Sequence, residues 1–69
     1  MTCTISSFEK AKEFVLTANQ CEYDVNVSQG RYIVDGKSIV GVLSLNLLNP
    51  VQVQCVNRTE EALFEKYAS

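Results

Sequence analysis

Residues 37–45 read Lys-Ser-Ile-Val-Gly-Val-Leu-Ser-Leu and lie within the most apolar stretch of the chain, Lys37–Leu48. Ser38 stands near its start, where a serine hydroxyl can accept a hydrogen bond from a free N–H group in the first turn of a helix. Asn49-Pro50 closes the stretch, because the residue before a proline avoids the helical conformation. Three apolar side chains recur at helical spacing and share one face: Ile39, Val42 and Leu45. The pattern predicts a helix that Ser38 caps.

The segments before this stretch predict a strand and a longer helix. Thr2–Ile5 is short and rich in β-prone residues. Ser6, with Glu9 three residues later, forms a capping box, so a helix is expected from about Ser7 to Gln20. Leu16 points away from the apolar face of this helix. That face comprises Phe8, Ala11, Phe14, Val15 and Ala18.

Alternating apolar residues predict three more strands, two of them joined as a hairpin by turn chemistry at Ser28-Gln29-Gly30. The expected elements are strands at Tyr23–Val27, Arg31–Val34 and Val51–Val56, and a short helix from Asn57 or Thr59 to Tyr67. The resulting order, β-α-β-β-α-β-α, predicts an α+β fold in which helices cover one face of a single antiparallel sheet, an open-faced sandwich. With 69 residues and no linker, residues 1–69 are expected to form one domain.

Composition narrows the class of function. The net charge is −2 and the six basic residues are scattered, which argues against nucleic acid as a partner because phosphate binding needs clustered lysine and arginine. No apolar run approaches a membrane span and the first residues do not resemble a signal peptide, so a cytoplasmic protein without membrane contact is expected. Three widely spaced cysteines predict reduced thiols that pack in the core or at an edge: Cys3, Cys21 and Cys55.

The residue types of the chain give little support for enzyme activity. The chain contains no histidine, the side chain that most often moves protons at neutral pH. Glu60 and Glu61 are adjacent, which is typical of a solvated helix face. No cysteine has an imidazole to activate it, and no Cys-x-x-Cys pair indicates a metal site. We therefore expect no enzyme activity, no metal and no cofactor.

Residues 37–45 resemble the regulatory-serine helix of the phosphocarrier HPr family of the sugar phosphotransferase system. In low-GC Gram-positive bacteria that helix typically reads Lys-Ser-Ile-Met-Gly-Val-Met-Ser-Leu. The hairpin that begins Asp24-Val25-Asn26-Val27 is similar to the second strand of the family, and the resemblance covers roughly residues 8–67. It implies a four-stranded antiparallel sheet in the order 1-4-2-3 under three helices.

The chain departs from the family where the phosphoryl group is carried. The family holds it on a histidine at the start of the first helix, in a His-x-Arg-Pro setting. An ungapped alignment from Asp24 puts Ser7 at the histidine position, Glu9 at the arginine and Lys10 at the proline. If Thr2–Ile5 forms the first strand, the loop that carries the histidine has instead been deleted. Either alignment implies that the phosphohistidine site is absent.

The catabolite-repression HPr-like proteins also lack this histidine and keep the regulatory serine. That resemblance implies phosphorylation of Ser38 by the HPr kinase, followed by binding to a transcription regulator of carbon catabolite genes or to a component of the transport system. The apolar residues facing such a partner would be Ile39, Val40 and Leu43, with Leu16 extending the patch. An outward leucine is also common without any role.

Two other functions stay open at the level of sequence. The chain could be a structural or accessory subunit in which Ser38 is only a helix cap, or a phosphocarrier that uses a residue other than histidine. Unpaired sheet edges and apolar patches also allow a homodimer.

Overall fold

The computed structural model describes all of residues 1–69. Its strands are β1 (Thr2–Cys3), β2 (Val25–Gln29), β3 (Tyr32–Asp35) and β4 (Val51–Cys55), and its helices are α1 (Phe8–Asn19), α2 (Ile39–Leu43) and a C-terminal 3₁₀ helix (Arg58–Tyr67). All strand pairs are antiparallel and the sheet order is β1-β4-β2-β3. The predicted α+β fold and strand order are confirmed.

The sheet is apolar on the face that the helices cover and polar on the other. Along β4, Val51, Val53 and Cys55 are buried, whereas Gln52 and Gln54 are exposed. This period of two is the pattern of a strand with one face on a core. Sixteen buried residues form one hydrophobic cluster, and all three cysteines belong to it, as predicted.

Phe14 lies in the middle of the helical layer. Its ring centroid is 4.8 Å from that of Phe64 and 5.6 Å from that of Tyr67, so α1 and the 3₁₀ helix meet through an aromatic cluster. Of the five side chains predicted for the buried face of α1, Phe8 is the exception at 53% exposed. It lies in the first turn, beyond the edge of the core, with the Lys12 ammonium 5.2 Å from its ring.

The hairpin loop and the N-cap of α1 differ from the sequence prediction. Ser28 and Gln29 belong to β2 and pair with β3, so the hairpin loop is Gly30-Arg31. Gly30 has φ +60°, which suits the first position of a two-residue hairpin loop. Before α1, Ser7 rather than Ser6 is the cap: its Oγ accepts from the N–H of Lys10 at 3.2 Å.

α2 is shorter than the apolar stretch predicted. It ends at Leu43, although Leu45 is still buried in the core. The side chain of Gln29 holds the following segment in a turn, donating to the carbonyl of Asn46 at 2.8 Å and accepting from its N–H at 2.9 Å. These bonds replace the ones that a longer helix would make. The last helix is of the 3₁₀ type, with Asn57 as its cap.

Candidate functional site

Ser38 caps α2, as the sequence predicted. Its φ and ψ are −105° and 117°, outside the helical region, and its Oγ accepts from the N–H of Gly41 at 3.2 Å. Its carbonyl accepts the first helical bond, from the N–H of Val42 at 3.0 Å. The residue is half-buried. The hydroxyl is therefore bonded to the backbone, in a residue that is partly exposed.

A tight turn between β3 and α2 sets the position of Ser38. The carboxylate of Asp35 accepts from the N–H of Lys37 at 2.9 Å, and the carbonyl of Asp35 accepts from the N–H of Ser38 at 3.0 Å. Gly36 donates to the carbonyl of Val25 at 2.7 Å. The start of α2 is therefore fixed to the sheet through β2 and β3.

The same turn is tied to the end of α1. Lys37 donates from Nζ to the carbonyl of Cys21 at 3.0 Å, and Asn19 donates from Nδ2 to the carbonyl of Lys37 at 3.1 Å. At the opposite end of α1, the N–H of Ser6 donates to the carbonyl of Leu47, which follows α2. The two helices therefore run side by side in opposite directions, with Ser38 beside the C-terminus of α1.

Four apolar residues were predicted to face a partner, and we call them the α1–α2 surface: Leu16, Ile39, Val40 and Leu43. Leu16 is 68% exposed and Val40 is 76% exposed. Leu16 and half-buried Ile39 line one groove of about 280 Å³ between the helices. Val40 and Leu43 lie on the exposed side of α2. The groove has two further lining residues that the sequence did not single out, Lys12 and Val15.

Ser7, the position that the ungapped alignment gives to the family's histidine, lies apart from Ser38. A first strand at Thr2–Cys3 meets the condition of the other alignment, in which the loop that carries the histidine is deleted. Ser7 is exposed at the N-terminus of α1, while Ser38 adjoins the C-terminus of that helix. Ser6, immediately before it, has φ 63°, a left-handed conformation that non-glycine residues rarely adopt. The structure thus places the two serines at opposite ends of α1.

Glu60 and Glu61 of the 3₁₀ helix bind backbone donors, a structural role that the predicted solvated face does not include. The Glu60 carboxylate accepts from the N–H of Glu22 at 2.8 Å and from that of Tyr23 at 3.4 Å. Glu61 accepts from the N–H of Cys55 at 3.2 Å. Both side chains are half-buried, because they bind backbone donors at the ends of β2 and β4. The bonds of Glu60 join residues that are 37 and 38 positions apart, so they leave no signal in local spacing.

The buried thiols are poor nucleophiles. Burial, reinforced by the neighbouring Cys21 thiol and by Glu61, raises the pKa of the Cys55 thiol to about 11. Burial also raises the pKa of Cys21 and of Cys3. Because the thiolate is the reactive form, these side chains act as core residues at neutral pH. No group of three His, Cys, Asp or Glu side chains is placed to hold a metal ion.

None of the helices has the length and apolar character needed to cross a membrane. No curated protein and no solved structure matches the chain. The model of one family, described as the PTS HPr component phosphorylation site, matches residues 8–68. The match includes α1, both strands of the hairpin, α2 and β4, and it agrees with the sheet order of the fold. The chain therefore belongs to the HPr family of the sugar phosphotransferase system.

Proposed function

We propose that this chain is a cytoplasmic, regulatory HPr-like protein that binds protein partners through the α1–α2 surface and is switched by phosphorylation of Ser38. HPr proteins are phosphocarriers that interact with other proteins of the phosphotransferase system. The observation that carries the proposal is the position of Ser38. It caps α2 and is half-buried, and the next residues of that helix include an exposed Val40 and a partly exposed Leu43.

The absence of histidine supports a regulatory role rather than a role as a phosphocarrier. A phosphohistidine intermediate needs an imidazole, and the chain has none. Ser7, which only the ungapped alignment places at the histidine position, is an N-cap whose hydroxyl accepts from the N–H of Lys10. A serine hydroxyl in that setting has no neighbouring base to activate it. Ser38 is then the residue whose phosphorylation best fits the pattern of the family.

Phosphorylation at Ser38 would change the charge of a surface that is otherwise apolar. In the kinase reaction the Oγ attacks the γ-phosphorus of ATP, the hydroxyl proton leaves to a base of the kinase, and ADP departs. The product carries about −1.5 to −2 charges and three acceptor oxygens. One of these oxygens can keep the bond to the Gly41 N–H, so the cap survives. The new charge beside Val40 favours a partner that presents arginine around an apolar contact.

Incubation with HPr kinase and ATP, followed by intact mass, tests the switch. We expect the mass of one phosphoryl group to be added to the native chain and to the Ser44→Ala variant. Ser44 is a matched control because it lies in the same segment and its hydroxyl donates to the carbonyl of Gly41 instead of capping a helix. Ser38→Ala should add nothing. The proposal of a switch fails if the native chain is not modified, or if the Ser38→Ala variant is still modified. Ser38 is then only a structural cap.

Incubation with phosphoenolpyruvate and the upstream phosphotransferase enzyme tests the phosphocarrier alternative. The mass should stay unchanged, because no imidazole is available to accept the group. A histidine-containing HPr in the same mixture checks that the donor enzyme is active. Labelling of this chain would show that it carries phosphoryl groups on another residue.

A further inference from the structure

β3 is the uncovered edge of the sheet. It pairs with β2 on one side only. The opposite edge is different, because the C-terminal residues cover β1: Cys3 bridges to Ala68, and Ser69 donates to the carbonyl of Thr2 at 3.0 Å. An uncovered edge presents free backbone donors and acceptors that can pair with another strand.

The register shows which groups on β3 are free. Gln29 and Tyr32 flank the two-residue loop, so they form a hydrogen-bonded pair. Bonded and non-bonded pairs alternate along an antiparallel ladder, which turns the N–H and carbonyl of Ile33 away from β2. The N–H of Asp35 points outward for the same reason.

The side chains of this edge are unusually apolar for a surface. Tyr32 is 70% exposed and Ile33 is 73% exposed, and as neighbours in a strand they lie on opposite faces of the sheet. No lysine or proline interrupts residues 31–35, although proteins commonly place these residues on open edges to block pairing. Both faces of the edge therefore favour contact with a further strand.

We propose that β3 pairs with β3 of a second copy of this chain, antiparallel about a two-fold axis through Ile33. Residues 31–35 read Arg-Tyr-Ile-Val-Asp and complement themselves in this register. Arg31 lies opposite Asp35 of the second copy, Tyr32 opposite its Val34, and the two Ile33 residues face each other. A two-fold interface requires such self-complementarity.

The unpaired charges at the ends of β3 and the outward backbone groups of this strand favour this same pairing register. The single salt bridge within the chain joins Lys12 and Glu9, so Arg31 and Asp35 lack an ionic partner. One Asp35 oxygen accepts from the Lys37 N–H, which leaves the other for Arg31 of the second copy. The outward N–H and carbonyl of each Ile33 meet at the axis. A shift of one residue removes both charge pairs.

Pairing would join two four-stranded sheets into one sheet of eight strands. The contact is small, because it comprises one strand of four residues on each side. It falls at the low end of specific interfaces, so the dimer is expected to be weak and concentration-dependent.

Sedimentation equilibrium from micromolar to millimolar concentration, on the native chain, measures the association. We expect a monomer–dimer equilibrium. Ile33→Lys places two like charges at the axis and should abolish it, whereas its exposure at 73% keeps the fold intact. Arg31→Glu converts both charge pairs into repulsions and should weaken dimerisation roughly tenfold. Circular dichroism checks that both variants fold.

A cysteine cross-link tests the register directly. Ile33→Cys places two thiols opposite each other at the axis, about 5.5 Å apart between Cα atoms, within the range that a disulfide spans. We expect a covalent dimer under mild oxidation. Ser28→Cys is the matched control, because Ser28 pairs with Ile33 inside the sheet and its copies would lie three strand spacings apart. A native chain that stays monomeric at millimolar concentration, a dimer that Ile33→Lys leaves unchanged, or equal cross-linking of the two cysteine variants would overturn the proposal.

Discussion

A Cβ atom at Gly36 would lie 2.8 Å from Cγ1 of Val25 and 3.1 Å from its carbonyl oxygen, so any other residue would force Val25 to shift where β3 turns toward α2. The sequence indicated only that Gly36 ends the hairpin, because the crowding comes from a strand much earlier in the chain. The capping role of Ser38, by contrast, was predictable. A cap binds N–H groups only two or three residues ahead, so its signal lies in the neighbouring sequence.

Ser38→Ala should lower the free energy of unfolding by about 1 kcal/mol, because the N–H of Gly41 loses its acceptor at the start of α2. Ser38→Asp should retain most of this stability, since aspartate is an equally favoured cap. Urea denaturation of both variants provides the measurement. Equal loss in the two variants would mean that the hydroxyl acts through something other than capping.

Stability should fall as pH rises above the ordinary range for thiols, about 8.5. The pKa of Cys55 is raised to about 11 in the folded chain, so between these values the unfolded chain ionises while the folded chain does not. The stabilisation is complete below the unfolded pKa and is lost as pH rises through the folded one. Thermal unfolding from pH 8 to 11 should show a shallower decline in Cys55→Ala than in the native chain. Parallel slopes would contradict this contribution of Cys55.

At the scale of elements, the periodicity of the sequence predicts each strand and helix, and the errors fall at their ends. Helix α2 stops at Leu43 because the Gln29 side chain binds the backbone of Asn46, a contact between segments that no local pattern contains. The exposed residues of the α1–α2 surface were predictable as exposed. The groove that Leu16 and Ile39 line was not predictable, because it depends on the antiparallel arrangement of the two helices.

Replacing the exposed side chains of the α1–α2 surface should reduce partner binding without unfolding the chain. Leu16→Ser and Val40→Ser each remove an apolar side chain that is more than two-thirds exposed. If this surface docks the transcription regulator of carbon catabolite genes, each should weaken binding of the Ser38-phosphorylated chain by about 1–2 kcal/mol in calorimetric titration. Val56→Ser is the matched control, since Val56 is 63% exposed after β4, away from both helices. Equal losses in all three variants would place the contact elsewhere.

At the scale of the whole molecule, one core of 16 buried residues holds a chain of 69. Domains of this size bury a smaller share of their surface than larger ones and have little stability to spare. The fold class was still predictable, because alternation and helical spacing agree along the whole chain. The strand order was predicted only through the resemblance to the HPr family. The aromatic cluster was not predictable, since it joins α1 to a helix near the other end of the sequence.

That cluster makes Phe64 one of the side chains on which folding should depend most. Phe64 is fully buried, with its ring 4.8 Å from that of Phe14. Phe64→Ala should cost about 3–5 kcal/mol, the usual range for removing a buried phenyl ring. The total stability expected for a chain of this length is about 3–10 kcal/mol, so the variant should be partly or wholly unfolded at 37 °C. Phe8→Ala is the matched control at the exposed start of α1, and it should lose less than about 1 kcal/mol. Near-ultraviolet circular dichroism and urea titration measure both variants. A folded Phe64→Ala variant as stable as Phe8→Ala would show that the sheet and α1 hold the fold without the 3₁₀ helix.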